Sequence, residues 1–104
     1  MTSSREAVEA RDLVARPRDL VAQADQRISA LEQERREITA DQERIRSNMG
    51  RVNEQSELYR RYITKLTEQE TRLEQIVGEI DAARQQREDR QRALTDYLRN
   101  LTVN

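Results

Sequence analysis

From Val21 onward, inward-facing positions recur at alternating steps of three and four: Val21, Ala24, Ile28, Leu31, Arg35, Ile38, Gln42, Ile45, Met49 and Val52. Such spacing lays one narrow, mostly apolar stripe along a helix, as a coiled-coil seam requires. A strand is excluded, because period-two alternation is missing and glutamate, arginine and glutamine fill the intervening places. A second run keeps the same rhythm over six heptads without a stutter: Tyr59, Tyr62, Leu66, Gln69, Leu73, Ile76, Ile80, Ala83, Arg87, Arg90, Leu94, Tyr97 and Leu101.

Residues 47–56 separate the two runs. The first helix is expected to stop near residues 48–50, with Gly50 in the left-handed conformation that closes a helix end. Asn53 or Ser56 can then accept hydrogen bonds from the free amides of the next helix. A connection this short makes its helices antiparallel neighbours. The predicted fold is therefore all-α, an antiparallel two-helix coiled-coil hairpin. Its parts are a short or loosely ordered N-terminal helical segment (1–16), a first helix (17–50), a turn (51–56) and a second helix (57–101). Ser3 with Glu6 resembles a capping box at the start. Pro17 lacks an amide hydrogen and its ring clashes with the preceding turn, so a kink or a fresh helix start is expected there.

Heptads alone leave two alignments open. In one, Ile38 faces Leu66, Leu31 faces Leu73 and Ile28 faces Ile76. Asp41, Glu34 and Arg27 then lie beside Lys65, Arg72 and Glu79. In the other, Gln42 meets Gln69, Ile45 meets Leu66 and Met49 meets Tyr62, with Ser56 capping the second helix. This second alignment lets two buried amides satisfy each other, which matters because a buried polar group without a partner costs about 1–3 kcal/mol. In either case Gln42 and Gln69 read as register-setting seam residues. The seam itself rests on Ile28, Leu31, Ile38, Ile45, Leu66, Leu73, Ile76 and Ile80. Tyr59, Tyr62 and Ile63 are the expected contacts near the tip.

Composition narrows the chemistry. Charged residues make up 38% and hydrophobic ones 35%, with three tyrosines as the only aromatics, too little apolar matter for a thick core. Nineteen basic and twenty acidic side chains leave a net charge of -1 and no field favouring nucleic acid or anionic lipid. The exception is local: residues 84–92 contain no apolar side chain and carry Arg84, Arg87, Arg90 and Arg92, a weak signal for phosphate. Cysteine and histidine are both absent, which removes disulfides, thiolate catalysis and the commonest general base. Carboxylate pairs such as Asp41 with Glu43 sit on a thin exposed surface, where nothing excludes water or shifts a pKa. No enzyme, cofactor, metal or small-molecule substrate is expected.

The segments DQERIRSNM, SELYRRYITKLTEQE and ALTDYLRNLT resemble the C-terminal helical hairpin of the mucoidy-inhibitor-A-like bacterial proteins, which carry a domain of unknown function built largely of β-structure. Matching positions include Asp41, Gln42, Arg44, Ile45, Asn48 and Met49 before the turn, and Ser56, Tyr59, Tyr62, Lys65, Leu66 and Gln69 after it. The resemblance covers roughly the last two thirds of the chain. It implies the terminal part of a longer protein, and no activity to carry over.

The expected role is that of a non-catalytic structural and interaction module, an arm about 65 Å long at about 1.5 Å per residue. A seam this narrow offsets the entropy of ordering two long helices poorly. Expected partners are therefore a second copy or a β-rich domain of the same larger protein. With no apolar run long enough to span a bilayer, the chain taken as complete is expected in the cytoplasm. As a fragment of an exported protein, it carries no address.

Overall fold

The computed structural model describes the backbone of residues 4–103 and the side chains of residues 15–101. Two helices occupy almost all of it: α1, Ser4–Met49, and α2, Glu57–Val103, with no strand among the described residues. The all-α helical hairpin is what the seven-residue rhythm predicts. The chain divides into two compact units, one made of the segments up to Ile28 and from Asp81 onward, the other Ser29–Ile80. The side chains of Ser3 and Glu6 lie outside the described residues.

α1 takes Pro17 inside it without ending, so from Ser4 onward residues before Pro17 form no separate element. Proline costs one intrahelical hydrogen bond, and the bonds on either side carry the helix through.

Between the helices, in Ser29–Ile80, the turn is tight and self-bonded. Gly50 N donates to Arg46 O at 3.3 Å, Arg51 N to Asn48 O at 3.0 Å and Val52 N to Met49 O at 3.3 Å. Gly50 does not take the expected left-handed conformation: no described residue has a positive φ. The last carbonyls of α1 are satisfied by 3₁₀-type tightening instead. A Cβ on Gly50 would meet Ser47 O at 3.5 Å, ordinary contact.

Both expected capping residues are used, and they divide the task. Asn53 Oδ1 accepts from Gln55 N at 2.8 Å and shapes the turn. Ser56 Oγ accepts from Tyr59 N at 3.1 Å while its hydroxyl donates to Asn53 O at 2.6 Å, so Ser56 is the N-cap of α2. Glu57 then places a negative charge in the first turn, where the helix dipole favours it.

The core of Ser29–Ile80 is a single line of side chains. Leu31, Ile45 and Ile76 are fully enclosed, at 1%, 0% and 0% exposure. Leu31 clusters with Ile76 and Ile80, and Ile38 lies against them. Leu31 thus faces beyond Leu73, which fits the second alignment. In the other unit Ala24, Ala83 and Leu94 are buried.

The glycines give a test. Alanine at Gly50 enters a conformation it tolerates, and alanine at Gly78 meets nothing within 4 Å. Each substitution is expected to raise stability by about 0.4–1 kcal/mol in urea unfolding. A loss at Gly50→Ala would restore the left-handed turn.

Candidate interaction seam and tip

Each side chain singled out for the seam falls on the inner side of its helix or close to it. Leu31, Ile45, Ile76 and Ile80 are buried, while Ile28, Ile38, Leu66 and Leu73 are half-buried, as expected where only one other helix covers a stripe. Gln42 is buried at 4% and Gln69 half-buried. The two amides do not pair with each other. Gln42 Nε2 donates to Glu70 Oε1 at 2.9 Å, and Gln69 Nε2 donates to Asp41 Oδ2 at 2.6 Å. A carboxylate is the stronger acceptor, because an ionised partner roughly doubles a hydrogen bond. One consequence is an orphan: Gln69 Oε1 is buried with no partner.

These cross-links belong to the second alignment, and so does Asn48 Nδ2 donating to the Tyr62 hydroxyl oxygen at 3.4 Å. Yet two ion pairs anticipated for the first alignment also form. Lys65 Nζ stands 3.4 Å from Asp41, and Arg72 clamps Glu34 with Nε and Nη2 at 2.6 and 2.8 Å. Long basic side chains span the offset that the short apolar ones cannot.

Two hubs emerge that periodicity did not single out as central. Arg72, besides Glu34, donates Nη1 to Glu79 at 2.8 Å. The hydrogen bond to Glu34 chiefly, against some desolvation, holds its guanidinium above the usual value. Asp41 accepts from Arg44 Nε at 2.9 Å as well as from Gln69, with Lys65 nearby. The Arg44 bond is the main reason its carboxyl sits below the ordinary range; desolvation opposes it, and Gln69 and the Lys65 charge reinforce it. The signal for Asp41 was present in its spacing from Arg44 and in its place beside the seam.

At the tip, Tyr59 and Tyr62 are half-buried, whereas Ile63 is 46% exposed and Leu58 44% exposed. The tyrosines are committed to the hairpin. Ile63 is not.

The arginine stretch lies in the other unit. Arg87 pairs with Asp25 at 3.3 Å and Arg90 Nη1 donates to Leu20 O at 2.9 Å. Where seam positions carry no apolar side chain, arginine stems reach across to the facing helix. No described helix is long and apolar enough to cross a membrane.

Two substitutions read the polar layer. Asp41, with a depressed folded pKa, adds stability that is full above the ordinary carboxylate value of about 3.9 and lost as pH falls through its lower folded value. Asp41→Asn should therefore flatten the acid limb of a urea midpoint-versus-pH curve; equal slopes for both chains would refute the assignment. Gln69→Leu should gain about 1 kcal/mol by removing the orphaned oxygen, despite losing the bond to Asp41. A net loss in denaturant melts would mean that bond outweighs the orphan.

No protein-family model, curated protein or solved structure matches this chain, so its role rests on the chemistry of these side chains.

Proposed function

We propose that this chain is a non-catalytic coiled-coil module for structure and self-association, and the C-terminal part of a larger bacterial protein of the mucoidy-inhibitor-A-like kind. One observation carries the module reading. In Ser29–Ile80 the amides and several of the charged side chains flanking the seam are spent on cross-links between helices, while large apolar side chains stay outside: Leu58, Ile63 and Val77, the last 52% exposed. Polar groups committed inward and apolar groups left outward describe a surface awaiting another protein surface. The second part of the proposal rests on the resemblance alone, and a β-rich domain encoded upstream is its expected companion.

Contact with phosphate through Arg84, Arg87, Arg90 and Arg92 is the weaker reading. Arg87 and Arg90 already have protein partners, and nucleic acid would have to displace Asp25 from the first.

Sedimentation of the full chain from low micromolar to millimolar concentration tests the module. Its mass is expected to rise above that of a monomer, with thermal stability rising alongside. A fully helical, stable monomer across the whole range would overturn self-association.

A further inference from the structure

The seam of Ser29–Ile80 holds a polar conflict. Gln42 donates to Glu70 and Gln69 donates to Asp41, bonds that set the two amides level with each other, yet Gln69 Oε1 stays buried with no partner. Arg35 occupies a seam position by spacing, and in this alignment it stands exposed at the level of Ile76. A slide of one helix past the other by one heptad, about 10 Å at about 1.5 Å per residue, brings Arg35 level with Gln69. Its guanidinium then has the orphaned oxygen within reach as an acceptor. The same slide takes Gln42 from Glu70 to the level of Tyr62. Each alignment therefore satisfies one seam amide at the expense of the other.

The rest of this unit accepts either alignment. Leu31, Ile38 and Ile45 face Ile80, Leu73 and Leu66 as the helices now stand, and after the slide they face Leu73, Leu66 and Tyr59, again large apolar side chains. The flanking ion pairs favour the move. Lys65 and Arg72 now reach about 7 Å along the axis to Asp41 and Glu34, and after the slide they stand within about 3 Å of level. Residues 50–56 can follow, because the facing helix ends are offset by about 7 Å along the axis now and by about 3 Å afterwards, both well inside the reach of such a loop.

We infer that Ser29–Ile80 is a latched two-register device: its helices rest in the present alignment, held by the Gln42–Glu70 bond, and slide by one heptad when that bond opens. A polar seam residue with one good acceptor sets register in this way, and its loss hands the choice to the remaining contacts. Glu70 is exposed, so the latch is open to attack from the surface. Asn48 meets the Tyr62 hydroxyl only in the resting alignment, so the slide also remakes the contacts of the turn. Both helices belong to one chain, and the device does not depend on self-association.

The chain has no cysteine, so introduced pairs report on the alignment directly. Spin labels on the exposed positions Glu43→Cys and Glu74→Cys leave the seam intact and read the slide as a distance about 7 Å longer. Glu70→Ala, a surface substitution that opens the latch, should raise the share of the longer distance about tenfold over the labelled parent, the preference conferred by one hydrogen bond. Adding Gln69→Leu, which removes the orphaned oxygen, should restore the shorter one. In a second measurement, Ile38→Cys with Leu66→Cys meet only after the slide, whereas Ile45→Cys with Leu73→Cys would meet only after an equal slide the opposite way, since a disulfide needs Cα atoms within about 7 Å. In dilute Glu70→Ala chain under mild oxidation, the first pair is expected to close within one molecule about tenfold faster than the second. An unchanged distance in the Glu70→Ala chain, or equal closure rates for the two pairs, would overturn the second register.

Discussion

A two-helix seam can slide by one heptad without changing which side chains are apolar, and in Ser29–Ile80 the residue that forbids this is Gln42. It is the one polar side chain in the buried line of that unit, and its amide reaches Glu70. Move the helices by one repeat, to the alignment that pairs Ile38 with Leu66, and Gln42 would face the Tyr62 level, away from any carboxylate. Loss of the acceptor leaves a buried amide unsatisfied, at about 1–3 kcal/mol. Dispersion and hydrophobic contact hold the helices together; this one hydrogen bond decides where.

The flanking charges follow that decision rather than make it. Glu34 with Arg72 and Asp41 with Lys65 are compatible with both alignments, because a long basic side chain covers an offset of half a heptad. Such pairs, partly exposed, contribute little individually. Their value lies in being joined: Asp41 also binds Arg44 and Gln69, and Arg72 also binds Glu79, so each hub ties several positions. A network of this kind narrows the motion of the flank it occupies.

How much was legible follows from which physical signal is local. The seam from Leu31 to Ile80 is periodic, and periodicity survives in the sequence, so the hairpin and its inner residues could be read directly. Register could not, since Leu31 is as good an apolar neighbour for Leu73 as for Ile80, and the competition is settled by a long-range hydrogen bond. The amide pairing expected of Gln42 and Gln69 failed because adjacent carboxylates, Glu70 and Asp41, are better acceptors than another amide. Gly50 misled in a different way. Glycine after a helix suggests a left-handed residue, but a chain that re-enters a helix within seven residues can satisfy its carbonyls through short-range turns.

Ile63 and Val77 make the remaining point. Ile63 is off the seven-residue rhythm and reads as a contact near the tip, yet nothing local distinguishes an apolar residue that completes the core from one that stays outside it. Only the register separates them. Ile63 and Val77, 46% and 52% exposed, stand one heptad either side of Glu70, whose carboxylate takes the Gln42 amide. The hydrogen bond that orders the inside of the hairpin thereby also fixes the level at which these two side chains stand outside it, so a single buried amide bears on the surface as well as on the core.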